Sequence, residues 1–170
     1  MPKHKTIRIL GIDPGIADMG YGIIEYSGSS YTVLKYANIK TQKNTPLSAR
    51  LSALSKELTN IIKKFNPDIA GVEELFFHKN VKTALTVAHA RGVILMVLAS
   101  NNVPVEEYTP LQIKQSLTTY GRASKNQVQQ MVKSVLGMKE IPTPDDAADA
   151  LAVAICCCHN QNKLKDYVTQ

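Results

Sequence analysis

The sequence predicts one α/β domain built on a mixed five-stranded sheet flanked by helices, and three observations predict it. The first forty positions hold three runs of strand length separated by turn residues. Two long helical patterns then alternate with short apolar strands. The last third of the chain is helical in pattern, so sheet and helices share one core rather than forming separate layers of strands. With 170 residues, 44% of them hydrophobic, the chain is long enough for a single core of this kind. The domain spans 1–170, with about 1–5 and 160–170 expected to be flexible.

Each element has its local reason. Ile7 to Asp13 is apolar nearly throughout, as a central strand buried on both faces requires. Asp13-Pro14-Gly15 is a turn; Gly20 to Tyr26 is a second strand and Tyr31 to Ile39 a third, with a turn at Ser27 to Ser30 between them. Thr45 as N-cap and Pro46 at the first helical position open a helix carrying Leu47, Leu51, Leu54, Leu58, Ile61, Ile62 and Phe65 at spacings of three and four. Asn66-Pro67 ends it, and a fourth strand runs to Glu73. A long helix over Val81 to Ser100 is apolar on nearly every side in its second half and needs cover from more than one layer. Val103 to Tyr108 is a short fifth strand. Ser124 with Gln127 is a capping box for a helix to about Leu136, and Asp145 is the expected N-cap of the last helix.

Composition narrows the function classes. The chain has a net charge of +6, and no Asp or Glu falls between Tyr108 and Lys139, a window holding Lys114, Arg122, Lys125, Lys133 and Lys139. A basic face of this kind suits a polyanionic partner. Cys156 to Cys158 stand side by side before His159. Structural zinc sites need spacers of about two to four residues so that the chain can fold around the ion, so this run reads as buried thiols. Nothing in it suggests a disulfide framework, which points to a reducing cytoplasm. The most apolar run, Val93 to Ala99, is far below the roughly 20 residues of a membrane span, so no membrane partner is expected.

The chemistry lies in four acids. Asp13 and Glu73 close two apolar strands, and Asp146 and Asp149 stand three apart at the head of the last helix, on one face of it. Two like charges about 4 Å apart at an effective dielectric near 20 repel by roughly 4 kcal/mol, so such a cluster calls for divalent cations, and hard carboxylates suit Mg²⁺ or Mn²⁺. Paired ions about 3.5 to 4 Å apart can activate a water for in-line attack on phosphorus and stabilise the departing oxygen. The basic window would hold a phosphate backbone beside them.

Taken in order, Gly11-Ile12-Asp13-Pro14-Gly15, Gly20-Tyr21-Gly22, Val72-Glu73-Glu74-Leu75-Phe76, Ala90-Arg91-Gly92-Val93, Gln127-Val128 and Asp146-Ala147-Ala148-Asp149-Ala150-Leu151-Ala152 resemble the RuvC-type Holliday junction endonucleases over about residues 7–158. The resemblance implies a ribonuclease H-like fold, a homodimer, two Mg²⁺ ions per site with Mn²⁺ able to substitute, and paired symmetric nicking of four-way DNA junctions in recombination and repair. It implies Asp13, Glu73, Asp146 and Asp149 as catalytic metal ligands and Phe76 as an aromatic working against bases near the crossover. Lys114 and Lys125 match positions near the scissile phosphate, and Arg122 joins them as a candidate DNA contact. A branch-migrating helicase complex is the implied partner. One departure stands in the loop before Ser124, where relatives carry two glycines and Thr119-Tyr120-Gly121 keeps only the second.

Other readings compete. A related ribonuclease H-like nuclease acting on RNA or other DNA structures would use the same acids. An actin-like or sugar-kinase-like ATPase also has Asp-x-Gly after its first strand, but needs a second phosphate loop and a second domain for which 170 residues leave no room. A junction-binding module without catalysis would not need four intact acids. His78 and His89 lack supporting partners in the sequence and are left outside the site.

Overall fold

The computed structural model describes residues 6–28, 30–75 and 81–160, with side chains from 84 onward in the helix that begins at Val81. The ends expected to be flexible fall almost wholly outside this range, as do Phe76, Phe77 and His78.

The elements run β1 (Ile7–Asp13), β2 (Asp18–Tyr26), β3 (Tyr31–Lys40), α1 (Leu47–Phe65), β4 (Ile69–Glu73), α2 (Val81–Ser100), β5 (Val105–Tyr108), α3 (Pro110–Thr118), α4 (Lys125–Val135) and α5 (Asp145–His159). The five strands form one sheet in the order β3-β2-β1-β4-β5. β1, β2 and β3 are the antiparallel meander that short turns dictate, while β4 and β5 add in parallel through the helical crossovers α1 and α2. This is the mixed α/β sheet expected from the pattern, with the layout of a ribonuclease H-like fold.

Each face of the sheet carries its own core. Leu10, Ile12, Ile23, Ala70 and Val72 face α1 and α2, meeting Leu54, Leu58, Ile62, Ile94 and Leu98. The other face receives α5, whose residues Ala147, Ala148, Ala150 through Cys158 are all buried, with α3 and α4 outside it. A helix covered all round can sit this close to a sheet only if the sheet is nearly smooth beneath it. Gly22, Gly11 and Gly71 are aligned across β2, β1 and β4 and provide that seat. A Cβ on Gly11 would stand 2.0 Å from the Ala150 carbonyl oxygen, and one on Gly20 would stand 1.9 Å from that of Asp146.

Several boundaries differ from the sequence reading. Pro46, not Thr45, is the N-cap of α1, and the Thr45 hydroxyl donates instead to the Gln42 carbonyl. β5 starts at Val105 rather than Val103, because the preceding residues close the C-terminus of α2. Helix α3 was not anticipated; Thr109 and Gln112 cap it reciprocally, with Pro110 at its first turn. The N-cap of α5 is Pro144, so Asp145 is the first helical residue and its carboxylate is free to pair elsewhere. Nor is α2 wholly enclosed: Ile94, Val97 and Leu98 are buried, but Leu85 and Met96 are 59% and 55% exposed.

Candidate metal centre and nucleic-acid groove

Strand periodicity places the first two acids. On β1 the α5-facing positions are Ile7, Ile9 and Gly11, so Asp13, two residues on, faces α5 as well. On β4 the same count from Ile69 and Gly71 puts Glu73 on that face. Because Ile12 pairs with Val72 in parallel register, Asp13 and Glu73 leave adjacent strands at the same level. α5 arrives over them with its N-terminus, whose exposed N–H groups favour negative charge, and it carries Asp146 and Asp149. Ligand oxygens of Asp13, Asp146 and Asp149 all lie within 4.8 Å of one another. Glu73 joins them through a hydrogen bond with Asp13.

The electrostatics show what this convergence costs. Burial, and then the charges of Glu73, Asp149 and Asp146, push the Asp13 carboxyl up to about 8. Burial and Asp149 likewise raise Glu73, against the pull of Asp13's hydrogen bond and of Lys114 and Lys125. Asp149 is raised by burial despite its ion pair with Lys125. Without a cation the Asp13 carboxyl keeps a proton that an isolated carboxylate would have lost at neutral pH. Four hard oxygen donors, three of them raised chiefly by burial, fit a divalent ion, which would displace the proton that Asp13 keeps.

Two lysines border this centre. The Lys125 ammonium lies 3.0 Å from Asp149 Oδ2 and 3.3 Å from Asp145 Oδ2. Partial burial works against its charge, but the two carboxylates win and its pKa is raised. A groove of about 560 Å³ is bounded by Asp13, Glu73, Lys114, Leu111 and Gly121, and a second of about 290 Å³ by Glu73, Lys114, Lys125 and Asp149. Arg122 is exposed on the turn between α3 and α4. Lys125 therefore touches the acids, Lys114 lines both grooves with Glu73, Arg122 lies on the flanking turn, and Phe76 lies outside the described residues.

In that turn Thr119 sits at φ 58°, ψ 2°, the left-handed region where the missing glycine would be at ease. The three cysteines are buried and form no disulfide, and burial pushes the Cys156 thiol up to about 11, as inert packing residues would show. His89 is exposed on α2, away from the acids in sequence and in element.

Two polar residues near the centre had no signal in the sequence reading. The Asn38 amide on β3 donates to Asp146 Oδ2 at 3.0 Å and reaches Asp18 Oδ1 at 3.5 Å. A bulge between Ile23 and Ile24 shifts the pairing of β2 and β3, so the phase of Asn38 could not be counted forward from the turn that opens its strand.

The family model for crossover junction endodeoxyribonuclease RuvC matches residues 9–159. The chain belongs to the RuvC family. Crossover junction endodeoxyribonucleases RuvC of Clostridioides difficile and Caldicellulosiruptor saccharolyticus are each 57% identical to it. The first match covers 92% of both chains; the second covers 88% of this chain and 91% of the relative. Among solved structures, Thermus thermophilus RuvC superimposes with a TM-score of 0.85 at 34% identity. The same protein in complex with a Holliday junction substrate gives 0.84 at 32%; each match covers 92% of this chain and 96% of the other. All four acids of the centre lie inside the stretch the family model matches.

Proposed function

We propose that this protein is a metal-dependent endonuclease that resolves four-way DNA junctions by paired, symmetric phosphodiester hydrolysis in recombination and repair. The observation that carries the reading is the convergence of Asp13, Asp146 and Asp149 within 4.8 Å, with Glu73 beside Asp13 on the neighbouring strand, in a chain of the RuvC family. Asp13, Glu73, Asp146 and Asp149 hold two Mg²⁺ ions, with Mn²⁺ able to replace them. Bound there, such ions supply a water activated at neutral pH and charge stabilisation for the departing 3′ oxygen. Lys114 and Lys125 neutralise the phosphate being cut, Arg122 holds backbone on the flank of the groove, and Phe76 engages bases at the crossover.

The working form is a homodimer. Its support is a stripe on α2, where Leu85, Ala88, His89, Gly92 and Met96 are not buried and recur at helical spacing, two of them large and apolar. A two-fold contact through that stripe gives two equivalent sites, matching two opposed strands of a junction. The protein acts in the cytoplasm beside a helicase complex that migrates junctions. Among the described residues no helix is long and apolar enough to cross a membrane.

The test compares a labelled four-way junction, a linear duplex and an RNA–DNA hybrid, each with Mg²⁺ and with chelator. Paired nicks confined to the junction and dependent on metal are expected. Equal cutting of the hybrid or of plain duplex would favour the related nuclease reading. Sedimentation of the free protein should show a species near twice 18.7 kDa that Met96→Glu splits.

A further inference from the structure

We propose that Asn38 is a positioning residue for the metal centre: its amide fixes the Asp146 carboxylate so that one oxygen is held by β3 and the other is presented to the cation. The inference rests on the reading that the four acids bind a divalent ion.

Asn38 pairs directly with Gly20 across β2 and β3, and paired residues point to the same face. On that face Gly20 has the Asp146 main-chain carbonyl against it, closer than any side chain would allow. The first turn of α5 therefore lands on the Gly20–Asn38 pair, and the Asn38 side chain comes up beside Asp146. The orientation of its amide is dictated by chemistry. Nδ2 lies 3.0 Å from Asp146 Oδ2 and 3.5 Å from Asp18 Oδ1; turned over, Oδ1 would face two carboxylate oxygens with no proton to share. In the observed orientation Oδ1 is buried and finds no hydrogen-bond partner among the described residues. A buried acceptor left unpaired costs free energy, so this side chain is not there for its own satisfaction. The Lys40 ammonium, 3.8 Å from Asp18 Oδ1, anchors the outer end of the same chain of contacts.

Of the four acids, Asp146 thus has an uncharged donor from the sheet, whereas Asp149 has Lys125 and Asp13 has Glu73. A ligand carboxylate free to rotate pays for its orientation when the ion binds; one already held does not. Partners of this kind typically change metal affinity by about 10- to 100-fold when removed.

The experiment is a Mn²⁺ titration of the full-length protein without DNA, followed by electron paramagnetic resonance, on wild type, Asn38→Leu and Asn38→Ala. Leu has nearly the shape of Asn and relieves the unpaired oxygen; Ala only shortens the side chain. Both variants are expected to bind Mn²⁺ about 10- to 100-fold more weakly, while their unfolding temperature in chelator stays at or above that of wild type for the Leu variant. Unchanged Mn²⁺ affinity in either folded variant would overturn the proposal. So would a loss of affinity that in both variants merely tracks an equal loss of stability in chelator. A wild-type protein that bound no Mn²⁺ at all would instead overturn the metal reading on which the proposal stands.

Discussion

Asp13→Asn should stabilise the protein in chelator while ending its activity, and the structure sets the size and the pH window of the effect. The Asp13 carboxyl is held at about 8 against an ordinary 3.8, chiefly by burial and then by Glu73, Asp149 and Asp146. Between those values the folded chain keeps a proton that the unfolded chain has lost. The slope of stability with pH follows the number of protons bound in the unfolded state minus that in the native state, which is negative here. The contribution is therefore fully present below about pH 3.8 and falls as pH rises, until it is lost above about 8. One proton gives a slope of about 1.4 kcal/mol per pH unit, so the charged carboxylate costs up to several kcal/mol at pH 8. Glu73 and Asp149, also raised, act in the same direction. Asn removes the charge at nearly constant shape. In urea titrations with chelator at pH 5, 6, 7 and 8, the stability of Asp13→Asn relative to wild type should grow with pH and reach at least about 2 kcal/mol at pH 8. Mg²⁺ should raise the wild-type unfolding temperature more at pH 8 than at pH 6 and leave the variant almost unmoved. A difference between wild type and variant that stays flat from pH 5 to 8 would refute the argument.

Other perturbations probe the frame around the acids. Gly11→Ala drives a methyl group to 2.0 Å from the Ala150 carbonyl oxygen, so it should destabilise by about 3 kcal/mol or more, read in urea, and displace α5 with its two acids. Lys125→Ala frees Asp149 from its ion pair and removes one positive charge among many; single-turnover cutting should fall much further than junction affinity, measured by filter binding. Thr119→Gly relieves about 1–2 kcal/mol of left-handed backbone strain against up to about 1 kcal/mol of added unfolded-state entropy, giving a small net gain in thermal stability.

The acids were legible in the sequence because each stands where a regular pattern stops. An apolar strand that ends in Asp13 or Glu73 fixes both the level and the face of that side chain, and the spacing of Asp146 and Asp149 fixes a helical face. What brought the three elements together was less visible: the aligned Gly22, Gly11 and Gly71 look like isolated glycines until the register of the sheet is known. Helix α3 is nine residues long, too short for periodicity to announce, although Thr109-Pro110 with Gln112 spelled its cap. Asp145 was assigned to capping by local preference, whereas Lys125 and a proline N-cap make it an ion-pair residue at the first helical position. The Lys125–Asp149 pair and the Asn38–Asp146 bond join residues far apart in sequence, and no local rule reaches them. Leu85 and Met96 show the converse case: an apolar helix implied cover on every side, and within one chain α1 supplies cover on only part of it.

Everything proposed for this protein depends on Asp13, Glu73, Asp146 and Asp149 forming one divalent-metal centre. The most direct measurement is anomalous diffraction from crystals of the protein grown with Mn²⁺ and junction DNA. Anomalous peaks bounded by these four carboxylates are expected, and their loss in Asp146→Asn. Peaks elsewhere, with these acids binding no metal, would contradict it.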